Sequence, residues 1–178
     1  MLEVATRCAN LMAGYMGAFP KKNVVPAHSG PEEALVKLYI IYKNNPELKK
    51  QINVPVAEQD YLKLAEFWIE GRGHHCGFPL WGTWGNPSAE QWIRDRKYEA
   101  PELGNHTRPS WGDYAQDSIP LFEQKTIEGH AVRATLFATG ATAAALENHS
   151  PEYIAAVSRL WDNMIGKRMF ITGGVGAV

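Results

Sequence analysis

The stretch YAQDSIPLFEQKTIEGHAVRATLFATGATAAAL, residues 114–146, decides the fold, because a polar loop passes directly into a helix that has almost no polar face. Between Ala131 and Leu146 the only charged residue is Arg133. A helix at a protein surface shows an apolar stripe opposite its charged residues, so a helix that is apolar on all sides must be surrounded. The segment is too short for a membrane span. We therefore predict a wholly buried helix over residues 131–146.

The composition is that of an ordinary globular protein. The chain has 178 residues, 45% of them hydrophobic, and a formal net charge of −1. Nothing in this balance favours a nucleic-acid partner or a membrane. Cys8 and Cys76 do not form a disulfide framework. The first residues, LEVATRCANLM, lack the pattern of a signal peptide, so we expect a cytoplasmic protein whose N-terminus is truncated.

A second segment resembles the first in having few charges. It reads AHSGPEEALVKLYIIYK, residues 27–43, and Ser29 with Glu32 three positions later is typical of a capping box, with Pro31 in the first turn. The sequence thus predicts that residues 32–43 and 127–146 form the two most buried helices and lie side by side.

Three further segments have a one-sided apolar pattern, namely residues 2–17, 57–70 and 151–165. In the first segment, the predicted inward face consists of Leu2, Ala5, Cys8, Leu11 with Met12, and Tyr15. In the last segment, it consists of Ile154, Val157, Leu160, Trp161, Met164 and Ile165.

Helical periodicity is lost in residues 71–118, which we interpret as a loop-rich insertion. The segment is rich in Gly and Pro, contains Trp81, Trp84, Trp92 and Trp111, and has one short helical candidate at 88–94. A loop of this length in a compact domain is either functional or disordered, and its tryptophans argue against disorder.

The order of helix types indicates the fold class. One-sided and nearly apolar helices alternate along the chain, with the insertion between the third and the fourth. Helical hairpins closed into a ring have an inner layer packed on all sides and an outer layer with one solvated face. We therefore predict an all-α protein, an α/α toroid or part of one, over residues 1–178.

Two histidines stand at equivalent places, because His28 precedes one nearly apolar helix and His130 opens the other. Each could satisfy a helix end or a buried carbonyl as a structural residue. Alternatively, both could bind the hydroxyl groups of a sugar at the mouth of the ring. The loop before the second helix adds further polar candidates for sugar binding, which are Gln116, Asp117, Glu123 and Gln124.

Other patterns carry less chemistry. His74, His75 and Cys76 are adjacent and have no accompanying ligand motif, so we predict no metal site there. The terminal GGVGAV, residues 173–178, lacks the spacing of a phosphate-binding loop and is followed by no helix.

Several blocks resemble one known family in the right order. These are HSGPEEALVKLY (28–39), YLKLAEFWIEGRG (61–73), YAQDSIPLFEQKTIEGHAVRA (114–134) and RLWDNMIGKRMFITGGVGA (159–177). They are similar to glycoside hydrolase family 127, the β-L-arabinofuranosidase family. The resemblance implies an (α/α)6 barrel and cleavage of arabinofuranosides with retention. It also implies a zinc-held cysteine nucleophile and a glutamate as acid/base.

The resemblance implies less for the residues of this chain. Neither Cys8 nor Cys76 matches the nucleophile, and the family places its nucleophile, zinc ligands and acid/base beyond the matching blocks. We therefore expect no catalytic residue and no zinc in this chain, which would be inactive by itself. His28 and His130 match substrate-facing histidines. Ser118 and Phe122 replace an expected histidine and arginine, which leaves the sugar specificity open.

Two alternative interpretations remain from the sequence. The chain could belong to another carbohydrate enzyme of the α/α-toroid type, such as a sugar epimerase or an unsaturated-uronide hydrolase. It could also be a helical scaffold without catalytic activity.

Overall fold

A computed structural model describes residues 1–18, 20–75 and 110–176. These ranges contain the α-helices α1 (Leu2–Tyr15), α2 (Pro31–Asn44), α3 (Glu58–Gly71), α4 (Ala131–Asn148) and α5 (Pro151–Asn163). Short 3-10 turns lie at Pro46–Lys50, Asp113–Ala115 and Leu121–Glu123, and a π-helical turn spans Met164–Arg168. The described part of the chain is helical and has no named strand, as the sequence predicts. The helical candidate at 88–94 and most of the insertion lie outside the described residues.

The five helices pack around α2 and α4. α2 contacts α1, α3 and α4, while α4 also contacts α3 and α5. The predicted contact between the two apolar helices is therefore confirmed. Gly140 allows this contact, because a Cβ atom there would lie 3.1 Å from Glu32 Cβ and 3.3 Å from the backbone N of Glu33.

Contacts at both ends of α2 and α4 show that the two helices run in the same direction. Near their N-terminal ends, Arg133 Nη1 donates to the carbonyl of Ala27 at 2.9 Å. Near their C-terminal ends, Lys43 Nζ lies 2.7 Å from Glu147 Oε2. The segments that carry His28 and His130 therefore meet at one end of the helix pair, as an α/α toroid requires.

The prediction that α4 is wholly buried is wrong. One of its faces is exposed to solvent and includes Val132, Thr139, Thr142 and Leu146, and Leu146 is 68% exposed. α2, α3 and α5 cover the other face, and no element of the described ranges covers this one. The exposed face is almost free of charge. Its threonine hydroxyls donate to carbonyls within the helix, as Thr139 Oγ1 does to the carbonyl of Thr135 at 2.8 Å. The prediction that α2 and α4 are the most buried helices also fails, because α3 buries as many residues as either.

The predicted inward face of α1 is rotated in the structure, and that of α5 is only partly confirmed. The residues that α1 buries are Thr6, Ala9 and Ala13, and those that α5 buries are Tyr153, Ala156 and Leu160. Of the predicted faces, Leu11 is 73% and Trp161 57% exposed. Of the predicted faces, Leu160 is buried, and Leu2, Val157 and Met164 pack against the core as partly buried side chains. Small residues on α1 and a hydrogen-bonded tyrosine on α5 take most of the other core positions.

Candidate functional site

The segment before α2 is held in place through the carbonyl groups of its residues 25–27. Each of them accepts a hydrogen bond from the side chain of a different, distant element. Trp111 Nε1 donates to Val25 at 3.0 Å, Arg72 Nη2 to Pro26 at 2.9 Å and Arg133 Nη1 to Ala27 at 2.9 Å. This segment has no regular secondary structure of its own, so these bonds determine where His28 stands.

His28 is exposed, and its Nδ1 atom lies 2.7 Å from the carbonyl oxygen of Ser29. The predicted capping box is only half formed. Gly30, with φ of 145°, precedes the helix, and its N–H donates to Glu32 Oε2 at 2.9 Å. Ser29 is 1% exposed, and its Oγ atom has no hydrogen-bond partner among the described residues. An unpaired buried hydroxyl is therefore located beside His28.

His130 directly precedes α4 and makes no side-chain bond to that helix. Its backbone N–H donates to the carbonyl of Tyr114 at 3.2 Å, and the two rings are 5.1 Å apart between centroids. The Arg133 guanidinium lies 4.7 Å from the centroid of the same Tyr114 ring. The Nδ1 atom of His130 is buried, and the described residues offer it no partner.

Gln116 has an unusual backbone and a half-satisfied side chain. Its φ of 56° is left-handed, and only 6% of the residue is exposed. Its Nε2 atom donates to the carbonyl of Glu128 at 2.8 Å, while its Oε1 atom is buried without a partner in the described chain. Gly129 makes room for this arrangement, because a Cβ atom there would lie 2.1 Å from the carbonyl oxygen of Asp113. A left-handed non-glycine residue with an unpaired buried atom is typical of functional sites.

Asp117 is fully buried, and both of its carboxylate oxygens accept from backbone N–H groups. Oδ1 accepts from Gly73 at 2.9 Å and Oδ2 accepts from Trp111 at 2.7 Å. These residues stand near the two ends of the 71–118 insertion. The geometry thus gives Asp117 a structural task, which is to join the two ends.

The other two loop candidates differ in their surroundings. Glu123 is exposed, whereas Gln124 is 8% exposed and donates from Nε2 to the carbonyl of Ile119 at 2.7 Å. Gln116 and Gln124 border the same cavity of about 40 Å³, whose other lining residues are Asp113, Ser118, Ile119, Lys125, Thr126 and Glu128. Ligand pockets are typically ~300–1,000 Å³, so this cavity fits a few water molecules and not a sugar ring.

Reasoning from the sequence missed Arg72 and its ion pair with Glu32, which it identified only as a capping residue. Both side chains are 0% exposed, and Arg72 Nη2 lies 2.7 Å from Glu32 Oε1. Arg72 Nη1 also donates to the carbonyl of Ala115 at 2.9 Å. No local pattern signals such a pair, because its members are 40 positions apart.

Zinc is the metal that the family resemblance implies. Within residues 1–18, 20–75 and 110–176, no three His, Cys, Asp or Glu side chains gather so that they could hold a metal ion. The described residues thus do not fit a zinc site. Cys76 lies outside the described residues, and Cys8 is exposed on α1. None of the described helices has the length and apolarity needed to cross a bilayer.

Comparisons with known proteins agree with this architecture. The family model for the β-L-arabinofuranosidase catalytic domain of glycoside hydrolase family 127 matches residues 1–178. A non-reducing end β-L-arabinofuranosidase of Bifidobacterium longum subsp. longum is 25% identical over 176 residues, which are 99% of this chain and 23% of that protein.

Two solved structures are similar to the whole chain. A family 127 β-arabinofuranosidase aligns with a TM-score of 0.66 and 28% identity, covering 99% of this chain and 20% of its own. A family 127 β-L-arabinofuranosidase from Geobacillus stearothermophilus T6 aligns with a TM-score of 0.65 and 26% identity, covering 94% of this chain and 22% of that protein's chain. The chain therefore spans about a fifth of the length of these relatives.

The fold and the comparisons together define a glycoside hydrolase domain of the α/α-toroid type. The chain belongs to glycoside hydrolase family 127, as its sequence blocks predict. This assignment replaces the interpretation as a toroid enzyme of another family.

Proposed function

We propose that this chain supplies part of the sugar-binding pocket of a retaining glycosidase that acts on β-L-arabinofuranosides. In this proposal His28 and His130 hydrogen-bond the sugar at the shared mouth of α2 and α4. Gln116 is a further ligand, and Glu123 and Gln124 are candidates at the edge of the sugar pocket, which is distinct from the small cavity that has room only for water molecules. The nucleophile, the acid/base group and the zinc ligands are assigned to no residue of this chain.

One observation carries the proposal. Three buried polar atoms without partners in the described chain, Ser29 Oγ, Gln116 Oε1 and His130 Nδ1, lie in the two segments that lead into α2 and α4. Leaving a buried polar group unpaired costs ~1–3 kcal/mol, so a group without a protein partner pairs with water or with a ligand. A hydroxyl-rich ligand offers both donors and acceptors, which suits this mixed set. The arabinofuranoside class is supported by the names of the relatives.

The proposal can be tested by nuclear magnetic resonance on the isotopically labelled chain. Methyl β-L-arabinofuranoside should shift the imidazole signals of His28 and His130 and the side-chain amide signal of Gln116. Methyl β-D-arabinofuranoside, the mirror-image compound, is the matched control because its composition and polarity are the same. Equal responses to both compounds, or shifts confined to other residues, would contradict the proposed function.

A further inference from the structure

Arg72 lies directly after α3 and is fully buried although it carries a permanent charge. Its guanidinium donates to Glu32 Oε1 at 2.7 Å, to the carbonyl of Pro26 at 2.9 Å and to the carbonyl of Ala115 at 2.9 Å. Its Cζ atom lies 5.2 Å from the centroid of the Phe137 ring on α4. One side chain therefore contacts α2, α4 and both loops that lead into them.

The two carbonyl groups lie next to the candidate sugar ligands. Pro26 precedes His28 by two positions, and Ala115 immediately precedes Gln116. Trp111 and Arg133 also hold the His28 segment, but Arg72 is the side chain whose single guanidinium bonds both to this segment and to the carbonyl directly before Gln116.

We infer that Arg72 is a positioning residue for the sugar pocket, holding the His28 segment and the Gln116 segment at a fixed separation. This inference rests on the proposed function. Arg72 does not touch the sugar in this arrangement, and it acts only through the two segments.

The chemistry of the pair favours positioning over simple stabilisation. A buried ion pair often contributes no more to stability than well-packed apolar residues of the same volume, because both charges lose their hydration. The planar guanidinium can donate in several fixed directions at once, which a lysine ammonium does not reproduce. Glu32 neutralises the charge with one oxygen and accepts from the Gly30 N–H with the other, so the pair also fixes the start of α2.

Three variants separate positioning from stability. Arg72→Met with Glu32→Gln removes both charges, keeps an oxygen that can accept from Gly30 and breaks the bonds to the two loop carbonyls. Arg72→Lys keeps the ion pair but cannot hold both carbonyls. The control is Lys43→Met with Glu147→Leu, which removes an ion pair between the same two helices at their other end.

The readouts are the melting temperature, the affinity for methyl β-L-arabinofuranoside and the backbone amide signals of residues 27–30 and 115–117 in the sugar-free protein. We expect both Arg72 variants to perturb these loop signals and to weaken sugar binding by about tenfold, as expected when a buried site loses one or two hydrogen bonds. The control pair should change neither the loop signals nor the affinity for the sugar.

Two results would overturn the inference. The first is a folded Arg72→Met/Glu32→Gln protein whose loop signals and affinity match the wild type. The second is an Arg72→Lys protein with lowered melting temperature and unaltered loop signals, which would indicate a purely structural ion pair. Failure of the wild type to bind the sugar would instead overturn the proposed function, while the loop signals would still decide whether Arg72 holds the segments.

Discussion

Arg133 on α4 donates to the carbonyl of Ala27, 106 positions earlier in the chain, at 2.9 Å. Arg133, in the first turn of α4, thus contacts the segment that carries His28. Its guanidinium also lies over the ring of Tyr114, which stands beside His130. This contact brings the two candidate histidines to the same end of the fold. The first prediction follows from it.

Replacing His130 with alanine should weaken sugar binding and leave stability nearly unchanged. The side chain makes no bond to α4, and the bonds of the backbone N–H and carbonyl do not depend on it. Losing one hydrogen bond to the sugar corresponds to ~0.5–1.5 kcal/mol, a fall in affinity of up to about tenfold. Calorimetric titration and thermal unfolding would measure the two effects.

His149→Asn is the matched control for that variant. His149 ends α4 at the opposite end of the helix with φ of 54°, a conformation that asparagine tolerates. If His130→Ala unfolds most of the protein and the fraction that remains folded binds the sugar with normal affinity, His130 has a structural role.

Replacing Asp117 with asparagine should destabilise the protein, because the amide can offer only one oxygen to the two N–H groups of Gly73 and Trp111. A hydrogen bond to a charged group contributes ~1.5–3 kcal/mol, so we expect a loss of that size in urea unfolding. Glu123→Gln, an exposed change in the same loop, should have little effect. Equal stability of the two variants would show that Asp117 does not join the ends of the insertion.

Replacing Gly140 with leucine should lower the free energy of unfolding by ~1–3 kcal/mol, the usual cost of overpacking. The added side chain would push α2 away from α4, since even a Cβ atom there lies 3.1 Å from Glu32 Cβ. Gly14→Ala on α1 is the contrasting variant, because a Cβ atom at that position meets nothing within 4 Å. It should instead raise stability by up to about 1 kcal/mol through helix propensity. Chemical denaturation of both variants tests whether close helix approach or helix propensity dominates at each glycine.

Tyr153 should make the fold sensitive to alkaline pH. Burial raises the pKa of its hydroxyl, and the neighbouring Glu70, whose carboxylate accepts a hydrogen bond from it at 2.9 Å, raises the pKa further. The folded protein thus holds this proton more tightly than the unfolded chain, so the stabilisation is complete below about pH 10, the ordinary tyrosine pKa, and is lost as the pH rises above it.

Tyr153→Phe has no proton to lose, so its unfolding free energy should fall less steeply than that of the wild type above about pH 10. Burial also raises the pKa of Tyr61, but that contribution is common to both proteins. Tyr15→Phe, at a position 50% exposed, serves as the control. Parallel pH profiles for wild type and Tyr153→Phe would refute the prediction.

The outer side of α5 should promote self-association. Ile154 and Trp161 are seven positions apart on α5 and are 49% and 57% exposed, and Ile165, in the π-helical turn that follows, is 41% exposed. Contiguous exposed apolar surface drives association. Trp161→Gln with Ile165→Gln should therefore reduce oligomers in sedimentation velocity, with little change in stability.

The control is Val4→Gln, which changes a single exposed apolar residue on α1. It should leave association unaltered. A wild-type protein that stays monomeric at high concentration would argue against an associating face.

The sequence alone was sufficient for the number, order and approximate bounds of the described helices. Proline at the first position marked the starts of α2 and α5, and the runs of apolar residues marked α2 and α4 as neighbours. These signals are local, since a proline or a periodic pattern acts within a few turns of the chain.

Only the tertiary structure decided which helix faces are buried and which polar groups are paired. On α5, apolar residues cover so much of the surface that several faces fit the pattern. Tyr153 faces inward, where its hydroxyl donates a hydrogen bond to Glu70, a residue 83 positions away in the sequence. Arg72 and Asp117 look like solvent-exposed residues or ligands in the sequence, yet their partners come from distant segments. A buried charge is tolerated only where other segments supply its hydrogen bonds, and their arrangement exists only once the chain has folded.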